Sequence, residues 1–129
     1  MSINKISIIV PAYNEASTIS NILDKLINLS LINHINKEII IVNDCSTDNT
    51  ATIAENLISA HPSSEIYFIS HEKNLGKGAA IHTGIKKATG DYLIIQDADL
   101  EYDPNEFNIL LKPVIDGHAD VVYGSRFLG

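Results

Sequence analysis

Three carboxylates occur at alternate positions directly after an apolar segment of the chain, at Asp97, Asp99 and Glu101. Side chains of an extended segment alternate between two faces, so all three carboxylates could project in the same direction. Three negative charges this close together repel one another unless a positive charge lies between them. Mg²⁺ and Mn²⁺ bind carboxylate oxygens together with the phosphates of a substrate. The spacing is therefore typical of a metal site for a phosphorylated ligand, with an acidic surface turn before Pro104 as the alternative.

Five short apolar segments rich in Ile and Val are the candidate strands, and stretches with helical spacing separate them. The segments are continuous rather than alternating, which is typical of strands covered on both faces. Strand and helix alternate throughout, which predicts an α/β fold with three layers and a doubly wound, mostly parallel sheet. The predicted strands are 6–10, 39–42, 66–69, 92–95 and 121–123. The predicted helices cover about 19–29, 50–60 and 77–88, and a fourth follows Pro104.

Polar residues follow every predicted strand. Ligands of an open α/β sheet bind beyond the carboxyl ends of its strands, so these residues are the candidates for a site. The segment after the first strand lacks the Gly-x-Gly-x-x-Gly fingerprint of dinucleotide binding. Gly76-Lys77 is followed by Gly78 instead of Ser or Thr, which excludes a Walker A loop. The pattern predicts one ligand site at the carboxyl edge of the sheet, without either of these phosphate-binding loops.

The composition limits the class of protein and its partners. A chain of 129 residues is the size of one domain, and its formal net charge of −7 argues against a nucleic-acid partner. The single cysteine, Cys45, gives no disulfide and no thiolate zinc site, so a reducing, cytoplasmic location is expected. No segment approaches the roughly 20 apolar residues that span a bilayer. The sequence stops at Gly129, directly after a predicted strand, which favours the first part of a larger domain.

Taken together, these segments make the chain resemble the family-2 inverting glycosyltransferases of the GT-A fold, and especially the dolichol- and polyprenyl-phosphate sugar transferases. The matching segments cover the chain in the order and spacing of that family: 8–15, 42–48, 74–78, 97–101 and 124–126. The resemblance implies a Rossmann-like nucleotide-diphospho-sugar transferase fold. Residues 1–129 would form its nucleotide-sugar-binding part, truncated at the C-terminus.

The resemblance also implies where a donor nucleoside binds. Pro11, Tyr13 and Glu15 would line the nucleoside pocket, with Val42 and Asp44 against the base. The donor would be a UDP- or GDP-linked sugar.

A second group of residues is implied at the diphosphate. Asp97 and Asp99 would hold the ribose and an Mg²⁺ or Mn²⁺ ion, Glu101 would add a metal ligand, and Ala98 would leave room for close approach. Arg126 would approach an anionic phosphate of the donor or the acceptor. Asp99 and Arg126 are the residues expected to act in catalysis.

Several of these residues have structural alternatives. Glu15 could favour the first turn of its helix through the helix dipole, whereas Asp44, just past a buried strand, needs a polar partner. Lys77 at a helix start is electrostatically unfavourable, which favours a role with phosphate over a solvated side chain. Cys45 stands where the family commonly has Gly. The histidines show no metal-ligand spacing and are expected to be surface or structural residues: His34, His61, His71, His82 and His118.

The implied reaction moves a sugar from the nucleoside diphosphate to an acceptor oxygen, with inversion. A polyprenyl or dolichyl phosphate at the cytoplasmic face of a membrane is the expected acceptor, because its oxygen is already anionic and needs no general base. A saccharide hydroxyl, as in cell-wall, capsule or O-antigen synthesis, would need such a base, and none is evident before Gly129. A donor-binding module without catalytic activity is the third alternative. The sequence does not indicate an oligomeric state.

Overall fold

The computed structural model describes residues 4–98, 106, 108–109, 111–112 and 122–123. The described residues from 106 to 112 are helical, in agreement with a helix after Pro104. The strands are β1 (Lys5–Ala12), β2 (Asn36–Asn43), β3 (Ile66–Ser70), β4 (Tyr92–Ile95) and β5 (Val122–Tyr123). The helices are α1 (Ile19–Asn28), α2 (Thr50–Ala60) and α3 (Lys77–Lys87), with a short 3₁₀ turn at Ile32–His34. Each predicted strand and helix is present, and β1 and β2 extend beyond their predicted ends.

The five strands form one parallel sheet in the order β3-β2-β1-β4-β5. The chain proceeds outward from β1 to β2 and β3, then returns to the other side of β1 to form β4 and β5. The loops that follow β1 and β4 therefore leave the sheet where the strand order reverses, which opens a crevice between them. The α/β class and the doubly wound parallel sheet are confirmed.

Helices cover both faces of the sheet and make three layers. The helices α1 and α2 pack on one face, against a core that includes Ile8, Val10 and Ile41. The helix α3 packs on the other face, against β1 and β2, where Ala80 contacts the cluster of Ile40 and Val42. Because both faces are covered, the strands are apolar along their whole length instead of alternating.

A glycine allows α3 to lie directly on β1. A Cβ atom at Gly84 would lie 2.5 Å from Cγ2 of Ile9, whose side chain is fully buried. Only a residue without a side chain allows this approach, which sets the distance of α3 from the sheet.

A buried carboxylate anchors the opposite, amino-terminal edge of the sheet. Glu38 in β2 accepts hydrogen bonds from the Ser7 hydroxyl (2.6 Å), the Thr89 N–H (2.6 Å) and the Thr89 hydroxyl (2.9 Å). The Lys5 ammonium lies 3.3 Å from its Oε1 atom. Burial raises the pKa of Glu38, but these hydrogen bonds and the Lys5 charge outweigh it and bring the pKa to about 2. The network ties the turn before β4 to β1 and β2. Among the described residues, no helix has the length and apolarity needed to cross a membrane.

Candidate functional site

A cavity of about 330 Å³ opens at the carboxyl edge of the sheet, at the reversal between β1 and β4. It lies between the loops that follow β1, β2 and β4 and the start of α3. Most of the described residues named from the sequence meet in this one place. Its lining consists of Pro11, Ala12, Tyr13, Glu15, Asp44, Asn74, Gly76, Lys77, Ala80, Asp97 and Ala98.

The Asp44 carboxylate lies at one side of the cavity and has the polar partners that its position demands. Its Oδ1 atom accepts hydrogen bonds from the Leu75 N–H (2.9 Å) and from Nδ1 of His71 (2.8 Å), and Oδ2 accepts one from the Gly76 N–H (2.8 Å). Burial raises the pKa of Asp44, whereas the bonds from Leu75, His71 and Gly76 lower it, so that the pKa lies below its usual range. The ionised carboxylate therefore holds the loop that leads into α3.

His71 is a site residue that the sequence analysis did not single out. Its side chain is only 8% exposed, and its Nε2 atom lies 2.8 Å from the Thr83 hydroxyl of α3. Because Asp44 is ionised and only accepts, Nδ1 of His71 carries a proton and donates it to Asp44. Asn43 and Ser70 are paired in the sheet, so Asp44 and His71 are the first residues beyond two adjacent strands. That shared position was the available signal.

Asp97 lies across the cavity from Asp44, directly after β4. Its side chain is 8% exposed, and its Oδ1 atom forms an ion pair with the ammonium group of Lys77. Lys77 is the first residue of α3, it is 50% exposed, and it follows Gly76, whose φ is +98°. The interaction joins the start of α3 to the end of β4 across the reversal in strand order.

The loop after β1 is fixed by hydrogen bonds to the loop after β2. The Asn14 N–H donates to the Ser46 hydroxyl (2.9 Å), and the Thr47 N–H donates to Oδ1 of Asn14 (2.8 Å). The Glu15 N–H donates to the hydroxyl of Thr50 at the start of α2 (2.8 Å). These bonds hold the wall of the cavity in a defined position.

The match to a family model decides which family this fold and cavity represent. The model described as Glycosyl transferase family 2 matches residues 7–129. The chain belongs to glycosyltransferase family 2. Family-2 relatives include the dolichol-phosphate mannosyltransferase of Pyrococcus furiosus, which is 32% identical over 124 residues, covering 96% of this chain and 34% of the relative. The dolichyl-phosphate beta-glucosyltransferase of Trichomonas vaginalis is 38% identical over 128 residues, covering 92% of this chain and 37% of the relative.

A solved structure with the same fold carries a bound nucleotide sugar. It is the mannosyltransferase of Pyrobaculum calidifontis in complex with GDP-Man and Mn²⁺, with a TM-score of 0.76 and 27% identity. The similarity covers 87% of this chain and 32% of that one. The chain thus spans about a third of the length of these relatives, and its fold is that of the GT-A glycosyltransferases.

The backbone at Cys45 explains a departure from the family-2 pattern. Cys45 adopts a φ of 59°, in the left-handed region that glycine enters most easily. The family commonly has Gly at this position, and the cysteine here takes the same conformation. The substitution therefore leaves the loop after β2 in the form that Asp44 requires.

The other residues implied by the family resemblance have different outcomes. Val42 is fully buried between the sheet and α3, beside Ala80, so it lies beneath the cavity and not in its lining. Asp99, Glu101 and Arg126 lie outside the described residues.

The described part of the site suits a divalent metal at Asp97. Its carboxylate is nearly buried, and its Oδ1 atom already attracts a cation, that of Lys77. Carboxylate oxygens are the ligands that Mg²⁺ and Mn²⁺ prefer. Within the described residues, no three His, Cys, Asp or Glu side chains form a metal cluster, so Asp97 is one ligand of a set whose other candidates are Asp99 and Glu101.

Proposed function

We propose that residues 1–129 form the nucleotide-sugar-binding part of a glycosyltransferase that transfers a hexose from a UDP- or GDP-linked donor with inversion. The observation that carries this proposal is the cavity at the strand-order reversal, where Tyr13, Glu15 and Asp44 face Lys77 and Asp97. A nucleoside and a diphosphate need two such subsites side by side. The relatives named as dolichyl-phosphate sugar transferases and the structure with GDP-Man and Mn²⁺ support the same assignment.

The nucleoside would bind on the side of the cavity formed by β1 and β2. Tyr13 is exposed there and offers an aromatic face on which a base or ribose can pack. An ionised carboxylate has about four lone-pair positions, and Asp44 uses three of them for Leu75, His71 and Gly76. The remaining position can accept a hydrogen bond from a base N–H. Glu15, at the rim of the same wall, would face the ribose.

The diphosphate would bind between α3 and the end of β4. Asp97, with Asp99 and Glu101, would hold an Mg²⁺ or Mn²⁺ ion, which supplies Lewis-acid stabilisation of the negative charge on the leaving diphosphate. Lys77 and Arg126 would place positive charge against the phosphate oxygens. Ala98 allows the diphosphate to approach the backbone after Asp97, because its side chain is small.

We infer a polyprenyl or dolichyl phosphate as the acceptor, at a membrane surface. A phosphate oxygen is anionic near neutral pH and attacks without losing a proton, whereas a sugar hydroxyl needs a general base. No described residue in the cavity is placed as a base beyond Glu15, Asp44 and Asp97, and each of these has another role in the proposal. The names of the two relatives agree with a lipid phosphate.

Calorimetric titration with GDP-mannose and UDP-glucose tests the donor site, in the presence of Mn²⁺ or of EDTA. Binding should require the metal, and it should weaken at least tenfold in Asp97→Asn and Asp99→Ala. Glu55→Ala, which removes an exposed carboxylate of α2, is the matched control and should bind as the wild type. Equal binding with EDTA and in both site variants would reject the proposed metal-dependent donor site.

Sugar transfer is tested with the same donors and dolichyl phosphate in detergent. The product should partition into organic solvent, and its anomeric configuration should be opposite to that of the donor. Transfer to saccharides with none to the lipid phosphate would replace the proposed acceptor.

A further inference from the structure

The ion pair between Lys77 and Asp97 joins two side chains of very different freedom. Asp97 is 8% exposed and follows a strand in the middle of the sheet, so its carboxylate has a fixed position. Lys77 is 50% exposed, and its four-carbon side chain begins at the first residue of α3. The carboxylate is therefore the fixed partner of the pair, and the ammonium group is the one that can move.

The ammonium group lies on the carboxylate that the proposed function assigns to the metal. Lys77 contacts the Oδ1 atom of Asp97. A divalent cation on the same carboxylate would compete with the ammonium for that oxygen and would repel it. The metal and Lys77 therefore exclude each other from contact with Oδ1, although each favours the negative charge of Asp97.

The position of Lys77 is not one that stabilises its helix. A positive charge in the first turn of a helix is opposed by the helix dipole, and α3 has no acidic residue there to offset it. Asp97 offsets this cost while the site holds no ligand. A bound diphosphate would also offset it, because anions bind favourably at helix N-termini. Lys77 thus has two alternative anionic partners on either side of the same cavity.

We propose that Lys77 competes with the metal for Asp97 in the absence of nucleotide, and that the donor diphosphate removes this competition by taking Lys77 as its own partner. This inference rests on the proposed donor site. It makes the binding of metal and nucleotide mutually favourable, because coupling between two ligands is reciprocal. Metal alone binds weakly, nucleotide alone binds weakly, and the pair binds together, so that the metal site is filled when a donor is present.

The experiment measures Mn²⁺ binding by electron paramagnetic resonance of the unbound ion, with and without GDP or UDP. The variants are Lys77→Met, which removes the ammonium, and Lys77→Arg, which keeps the charge. Lys86→Met is the matched control, since it removes the same charge from the last turn of the same helix. That position is roughly 13 Å along the helix from Lys77, which exceeds the Debye length of about 10 Å at 0.1 M salt.

Without nucleotide, Lys77→Met should bind Mn²⁺ roughly three- to tenfold more tightly than the wild type, since a competing cation has been removed. Lys77→Arg and Lys86→Met should remain close to the wild type. The factor by which nucleotide increases Mn²⁺ affinity should fall by a similar ratio in Lys77→Met, because Lys77 no longer moves between two partners.

Equal or weaker Mn²⁺ binding by Lys77→Met in the absence of nucleotide would overturn the inference. This outcome is distinct from failure of the proposed function. If the wild type binds neither GDP nor UDP, but Lys77→Met still binds Mn²⁺ more tightly, competition at Asp97 stands and the donor site is rejected. Circular dichroism of each variant establishes that the fold is retained.

Discussion

Asp44 and His71 lie side by side at the carboxyl edge of the sheet, with Nδ1 of His71 2.8 Å from Oδ1 of Asp44, although 27 residues separate them in the chain. The contact arises because β2 and β3 are neighbours in register and each residue is the first after its strand. His71 reaches α3 through Thr83, and Asp44 reaches it through Leu75 and Gly76. The two side chains therefore fix the start of α3, and with it Lys77, relative to the nucleoside side of the cavity.

Removing the His71 ring nitrogens should weaken both the fold and donor binding. In His71→Phe, Asp44 loses one hydrogen-bond donor and the Thr83 hydroxyl loses a buried partner, which should cost about 1–3 kcal/mol in the free energy of unfolding. The affinity for GDP or UDP with Mn²⁺ should fall several-fold, because Asp44 is no longer held in place. Urea unfolding and calorimetric titration measure the two effects.

His82→Phe is the control for this substitution, since His82 is exposed on the same helix. It should leave the free energy of unfolding and nucleotide affinity within error of the wild type. Thr83→Val should show a smaller loss of both quantities than His71→Phe, because the bond between His71 and Asp44 remains. A His71→Phe protein with unchanged nucleotide affinity would show that the ring has no positioning role.

The buried Glu38 should make the protein sensitive to acid. Its pKa of about 2 in the folded protein is below its model value of 4.5, so its ionised form stabilises the fold at neutral pH. This contribution is complete above about pH 4.5 and is lost as the pH falls toward 2, with a limit of about 3 kcal/mol. The lowered pKa of Asp44 adds a loss of the same sign in the acid range.

Glu38→Gln tests this assignment in urea unfolding at pH 7, 4 and 3. The variant should be roughly 1–3 kcal/mol less stable at pH 7, since an amide cannot accept as many hydrogen bonds as the carboxylate. Its free energy of unfolding should also fall less between pH 4 and pH 3 than that of the wild type. Glu55→Gln, on the exposed surface of α2, should retain the full pH dependence. An unchanged acid dependence in Glu38→Gln would assign the effect to other carboxylates.

The sequence predicts the strands and the edge of the sheet that holds the site, because both depend on local patterns. Continuous Ile and Val segments indicate strands buried on both faces, and polar residues after each strand indicate the carboxyl edge. Partners that depend on which strands are neighbours were not predictable from these patterns. The ion pair of Lys77 with Asp97 requires β4 beside β1, and the bond of His71 to Asp44 requires the register of β3 on β2.

The network around Glu38 was also missed, for a different reason. Glu38 directly precedes the apolar segment predicted as a strand, and a charged residue at such a position is usually exposed. Its burial follows from β2 beginning earlier, at Asn36, and from a turn before β4 that supplies the Thr89 donors. Neither feature is visible in the spacing of apolar residues.

Two glycines of α3 offer a paired test of how this helix lies on the sheet. In Gly84→Ala, the new methyl group would lie 2.5 Å from Cγ2 of Ile9, so α3 must shift or Ile9 must repack. Overpacking of this kind should lower the free energy of unfolding by about 1–3 kcal/mol. At Gly78, by contrast, a Cβ atom meets no atom within 4 Å. Gly78→Ala should therefore stabilise the protein by up to about 1 kcal/mol, because alanine is the better helix former. Urea unfolding of both variants measures the difference, and a Gly84→Ala protein as stable as Gly78→Ala would contradict the close packing of α3 on β1. Since α3 carries Lys77, the shift in Gly84→Ala should also weaken nucleotide binding.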